Sequence, residues 1–187
     1  MQNIYKRMAL AAALTGTVGV FQVAHAEDTM CEATYEEVAP IAMNMPYWEF
    51  DQSESGWRKL GDCHSESARL LGRFIKKQES ELRGVRWHLA QALALDGENA
   101  RAAAEALKSL NPDEATQHPT FSWNTYVQAT VEFLRNDREA FDLQYEAHRK
   151  AAAQDAANKV NLDVLTGLSR CFGRPYKEAY GKCRSAP

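Results

Sequence analysis

Residues 82–112, "LRGVRWHLAQALALDGENARAAAEALKSLNP", decide the fold of this chain. Two runs of strong helix formers, Ala, Leu and Arg, are separated by Asp96-Gly97 and closed by Asn111-Pro112. Glycine readily takes the left-handed conformation that ends a helix, and proline cannot continue one. The stretch therefore reads as helix, turn, helix, stop: a helical hairpin. In its first helix Val85, Leu89, Ala92 and Leu93 share a face while Trp87, Ala94 and Leu95 lie on others. A helix apolar nearly all round is expected to be sandwiched between neighbours. The second helix carries Ala103, Ala104, Leu107 and Leu110, and its small alanines allow close helix approach.

Toward the C-terminus the plan recurs. Residues 121–154, "FSWNTYVQATVEFLRNDREAFDLQYEAHRKAAAQ", offer Ser122 as an N-cap and Trp123, Tyr126, Val127, Val131 and Leu134 as an apolar stripe. Asn136-Asp137 then makes the turn, and Phe141, Tyr145 and His148 form the next stripe. The two hairpins are offset by about forty residues, a period typical of helical solenoids. A final pair, "NLDVLTGLSRCFG" and "RPYKEAYGKC", adds Val164, Leu165, Leu168, Phe172, Tyr176, Ala179 and Tyr180, with Pro175 suited to a first helical turn.

Toward the N-terminus, Thr29 and Glu32 make a capping-box pattern for a short helix that should end before Pro40. Residues 40–55 read as an irregular connector. Trp57, Leu60, His64, Ala68, Leu71 and Ile75 then recur at steps of three and four, which predicts an amphipathic helix over residues 55–78. Alternating β-branched runs are missing. The expected fold is all-α: a short array of antiparallel helical hairpins, about six to seven helices, in one domain spanning residues 27–187.

The start of the chain sets the compartment. Lys6 and Arg7 precede an apolar stretch over residues 8–21, and Ala24-His25-Ala26 offers the small residues that a signal peptidase reads. Residues 1–26 are the expected signal peptide, cut after Ala26, with a periplasmic product. The stretch is short for a bilayer core of about 30 Å, and Glu27 rather than cysteine follows the cut, so neither an anchor nor a lipid is expected. Losing Lys6 and Arg7 from 22 basic residues leaves an acidic product, with 25 acidic residues retained. That balance argues against nucleic acid and anionic membrane as partners, since both reward clustered positive charge.

Cys31, Cys63, Cys171 and Cys183 all fall in the exported part, where an even count points to disulfides. Four cysteines allow three connectivities; the local pairs Cys31–Cys63 and Cys171–Cys183 are preferred. Cys-x-x-Cys spacing and close histidine pairs are missing, so no metal or other cofactor is expected.

The segment opened by Trp87, with Gly97 near the interhelical turn and Pro112 closing the unit, is similar to a tetratricopeptide repeat. The second hairpin keeps Trp123 and Tyr126 but has neither the glycine turn nor the closing proline. The whole exported chain also resembles a kind of uncharacterised secreted bacterial protein in which "FDQ…GW", "WN.Y..A…FL" and "CF…Y..AY..C" punctuate tetratricopeptide-like helices. This resemblance implies a helical-repeat fold and names no reaction.

Repeats of this kind present a concave surface to a partner, drawn mostly from the first helix of each pair. The expected function is a protein or peptide interaction module of the periplasm or envelope, an adaptor or an immunity-type inhibitor of an envelope toxin. Candidate contact residues are Arg83, Arg86 and Gln91 on the first hairpin and Asn124, Gln128, Glu132 and Arg135 on the second. The alternative is a small-molecule or glycan binder, or a weak hydrolase, using aromatic residues 47–57, with Tyr47, Trp48 and Trp57 as the platform. The default for that cluster is a plug that covers the end of the helical stack. His64, His88, His118 and His148 show no oriented partner at sequence level, and Asp51, Glu54, Glu79 and Glu81 sit in hydrophilic connectors, so catalysis is not expected.

Overall fold

The computed structural model describes residues 18–78 and 82–184. Among them it contains no strand and ten α-helices: α1 Val18–Ala42, α2 Tyr47–Gln52, α3 His64–Lys77, α4 Arg83–Leu95, α5 Asn99–Leu107, α6 Glu114–Gln117, α7 Trp123–Leu134, α8 Arg138–Gln154, α9 Lys159–Arg170 and α10 Tyr176–Tyr180. Three of these, α2, α6 and α10, span six residues or fewer and account for the excess over the six or seven expected. The expected leader falls largely outside the described residues, and no described helix is long and apolar enough to cross a membrane.

Helices α4 and α5 form the hairpin read from residues 82–112, and α7 and α8 form the second. Both turns are built alike. Gly97 has φ 85° and Asn136 has φ 58°. In each turn the following amide reaches back to a helical carbonyl, Glu98 to Leu93 at 2.8 Å and Asp137 to Glu132 at 2.9 Å. Helix α4 lies between α3 and α5, with α10 against it from a third side, so Val85, Trp87, Leu89, Ala90, Leu93 and Ala94 are all buried. In α5 the buried face is Ala102, Ala103 and Ala106, while Ala104 and Leu107 are exposed. Alanines on every side leave such a helix without a strong apolar stripe, so its neighbours set its rotation.

Three local expectations are corrected. Helix α1 runs through Pro40 to Ala42 instead of stopping before it. Its last turn is held by the apolar contacts of Val38, Ala39 and Ala42 and by the Met43 amide on the Ala39 carbonyl. The connector over residues 40–55 contains α2, whose Phe50 is fully buried and stacks on Phe74 with ring centroids 3.6 Å apart. The single helix expected over residues 55–78 is a 3-10 turn, Trp57–Leu60, then a break, then α3. Gly61 makes that break with φ 56°, and Cys63 beside it is tied to Cys31 of α1.

Both expected disulfides are present, Cys31–Cys63 and Cys171–Cys183. The second closes the corner between α9 and α10. Gly167 of α9 lets this corner pack tightly: a Cβ there would lie 2.8 Å from the Ala179 carbonyl oxygen. The C-terminal segment is thereby brought against α4 and α7, with Tyr176 of α10 edge-on to Phe133 of α7.

Candidate functional site

Pro46 ahead of α2 and Glu49 in its first turn are ordinary helix-start features. Burial of Phe50 then fixes which way this short helix faces, and Asp51 beside it points inward with 1% exposure. Its Oδ1 lies 2.7 Å from Nδ1 of His88 on α4, while the Gln52 side-chain amide donates to Oδ2. The Arg58 guanidinium donates to the Asp51 carbonyl oxygen, sits 3.4 Å from His88 Nε2, and lies 4.5 Å from the centre of the Trp57 ring. Burial pushes the Asp51 carboxyl up, but hydrogen bonds from His88 and Gln52 and the nearby positive charges outweigh it and hold the group below its ordinary range. Tyr47, at the mouth, is pushed up by burial and by the Asp51 charge.

This relay separates two hollows. The larger, of about 390 Å³, has Tyr47, Asp51, Gly84 and His88 on one side and Val160, Val164 and Arg184 on the other. Its floor is aromatic. The Trp87 ring lies 5.2 Å from Trp123 and 4.9 Å from Tyr126, in the tilted and edge-on arrangements that ring quadrupoles favour. Gly84 matters here because a Cβ would come within 3.1 Å of the Tyr47 hydroxyl. The smaller hollow, of about 310 Å³, lies beyond Trp57 and shares Gln91 and Tyr180 with the larger one.

Of the residues proposed from sequence, the structure brings few together. Gln91 lines both hollows. Arg86 pairs with Glu105 across the first hairpin at 3.1 Å, on a side lined by residues of α3, α4 and α5, away from the two hollows. Arg83 opens α4 but is not part of either lining. Asn124 is structural: its Oδ1 accepts from the Asn111 amide at 2.8 Å and its Nδ2 donates to the Asn111 carbonyl at 2.7 Å. Glu132 of α7 pairs at 3.1 Å with Arg135, which caps the end of that helix, and Gln128 is half-buried outside the hollows. The aromatic platform is divided, with Tyr47 lining one hollow, Trp57 the other and Trp48 73% exposed beside neither. Within that cluster Phe50 is the fully buried side chain, while Tyr47 and Trp48 remain exposed.

The histidines also separate. His148 is fully buried, its Nδ1 2.9 Å from the Thr125 hydroxyl and its Nε2 3.1 Å from the Asn158 carbonyl. That second contact requires Nε2 to carry the proton and donate. His118 is exposed in the loop after α6, and Glu79 and Glu81 lie outside the described residues. Cys31, Cys63 and Glu66 converge closely enough to hold an ion, but both sulfurs are spent in the disulfide and offer no thiolate.

Sequence reasoning missed Asp51 with His88. They are 37 residues apart, and each alone reads as a solvated or core group. The available signal was Pro46 followed by Tyr-Trp-Glu-Phe-Asp, a helix start that would have turned Phe50 and its neighbour inward. Comparison with known protein families, curated proteins and solved structures finds no match.

Proposed function

We propose that the chain is an exported interaction module, a short tetratricopeptide-like array whose inner face receives a segment of another protein in the envelope. The observation that carries this reading is the larger hollow. Its lining is collected from α2, α4, α7, α9 and α10, so no single element owns it. The first helices of the two hairpins, α4 and α7, supply its aromatic floor, as a repeat array does on its concave side.

The rim supports a protein partner over a small solute. Val160 is 70% exposed and Tyr47 42% exposed at its edges, giving apolar and amphipathic contacts around a polar, aromatic floor. Protein interfaces combine these features. Charge on the walls is mixed, with Asp51 opposite Arg184, which selects a partner by register more than by overall charge. A small, acidic, twice cross-linked domain also fits the sharper form of the reading, an inhibitor that masks an envelope toxin.

The test is affinity capture from envelope extract with the oxidised exported chain and with Val160→Asp. Val160 is exposed, so its substitution leaves folding intact. One stoichiometric protein retained by the wild type and lost with Val160→Asp supports the reading; equal retention by both chains counts against this face.

A further inference from the structure

A groove of about 480 Å³ runs beside α3, α4 and α5 and shares no residue with the two hollows. Six cations line it: Arg69, Arg73 and Lys76 from α3, Arg86 from α4, and Arg101 and Lys108 from α5 and its C-cap. Glu105 is the single carboxylate among the lining residues. The chain as a whole has 25 acidic residues against 22 basic ones, so the groove inverts the charge of the surface around it. Steps of four and three put Arg69, Arg73 and Lys76 on one face of α3, and Arg101, Glu105 and Lys108 follow the same steps along α5. Each row is roughly 10 Å long.

Two features of this groove do nothing for the fold. Gly72 stands inside α3 between Arg69 and Arg73, where glycine weakens a helix. No neighbour demands it, since a Cβ there would meet nothing within 4 Å. Arg101 stands in the first turn of α5, where the helix dipole disfavours a cation. A basic last turn suits α3 and accounts for Lys76 alone. We propose that the groove docks a short acidic segment of a polypeptide, and that Gly72 clears room for its backbone. The proposal is independent of the reading given to the inner face.

The cations already show their preferred partner. Arg69 takes Glu32 at 2.9 Å, Arg101 takes Glu98 at 2.8 Å, and Arg86 and Lys108 share Glu105. Exposed pairs of this kind contribute little and exchange readily. Arg73 donates to the Tyr35 hydroxyl at 2.7 Å, and Lys76 has no acidic partner among the described residues. Ala68, Ile75 and Leu89 supply an apolar floor for side chains between the acids. A long polyanion or an anionic bilayer would meet the acidic surface beyond the groove and be repelled, whereas a short segment stays within it.

The experiment is fluorescence anisotropy of a fluorescein-labelled hexaglutamate peptide with the oxidised exported chain. Saturable binding is expected at about 0.01 M salt, weakened about tenfold or more at about 0.15 M. Lys76→Glu should weaken it about tenfold, and Arg149→Glu, the same charge change on exposed α8, should not. Gly72→Ala should weaken binding while raising the melting temperature by about 2 to 4 °C, a combination that lost folding cannot produce. Absence of binding at low salt, equal losses from Lys76→Glu and Arg149→Glu, or full binding by Gly72→Ala would overturn the proposal. Tighter binding of tripolyphosphate or of phosphatidylglycerol vesicles would assign the groove to phosphate, and a dimer broken by Lys76→Glu would assign it to a second copy; either would overturn it too.

Discussion

Asn136 takes in the second hairpin the backbone conformation that Gly97 takes in the first: φ is 58° in one and 85° in the other, and both are followed by an amide bonded back into the preceding helix. Asparagine is among the few residues that tolerate this region, though at more strain than glycine. Gly97→Ala is expected to destabilise the chain by about 1 kcal/mol and Asn136→Gly to leave it unchanged or raise it by a few tenths. Urea midpoints of the two variants check this, and a midpoint raised by Gly97→Ala would show that the two turns are not equivalent.

Gly167 is demanded by packing instead of by its dihedral angles. A Cβ would press on the Ala179 carbonyl at 2.8 Å and on the Arg184 amide at 3.1 Å, both backbone atoms that cannot step aside. Gly167→Ala is expected to cost about 1 to 3 kcal/mol and to loosen the C-terminal segment first. Hydrogen exchange of the amides in residues 176–184 measures that directly; unchanged protection there would contradict the packing account.

Asp51 is buried against His88, with Arg58 and Gln52 as further partners. Truncating it removes the acceptor of the His88 imidazole and the Gln52 amide, while Arg58 keeps its bond to the Asp51 backbone carbonyl, so Asp51→Ala is expected to lose about 2 to 4 kcal/mol. Asp51→Asn, which keeps the shape and one acceptor, should lose less. Chemical unfolding of the three proteins gives the ranking, and an Asp51→Ala chain as stable as wild type would reduce the relay to a surface contact.

Acid should weaken the fold in two windows. Burial holds both His64 and His148 below their ordinary value. Between that lowered value and about 6.5 the unfolded chain binds more protons than the folded one. Stability therefore rises with pH there, is complete above about 6.5, and falls as pH drops through the histidines' folded range. Asp51, also lowered, contributes stability present above the unfolded carboxylate value of about 3.9 and lost as pH falls through its own lower folded value. A urea titration at stepped pH checks both, and His148→Gln should flatten the upper window.

The disulfides differ in reach. Cys31–Cys63 spans 32 residues and Cys171–Cys183 spans 12, and loop-closure entropy grows slowly with length. Removing the first pair should cost roughly 3 to 4 kcal/mol and removing the second about 3 kcal/mol. Melting of the paired alanine variants orders them.

Much of this architecture is written locally in the sequence. Asp96-Gly97 and Asn136-Asp137 announce their turns, Trp87 and Val85 announce a sandwiched helix, and cysteines near one another along the chain pair locally. The rest depends on contacts between distant residues. Proline at position 40 does not stop α1, because buried neighbours outweigh its missing amide. Polar Asn124 looked available for a partner but satisfies the backbone of Asn111 instead. Asp51 and His88 become a pair only once Phe50 has docked on Phe74, and nothing in either residue's own neighbourhood says that the other will be there.

The inner face as a docking surface is tested most directly with a photo-crosslinking residue placed in turn at Val160 and at Leu143. Their exposures are nearly equal, 70% and 69%, but Val160 lines the larger hollow and Leu143 does not. Irradiation in intact cells should yield one discrete protein adduct from position 160 and none from 143. Equal adducts from both positions, or an adduct from 143 alone, would contradict the proposal.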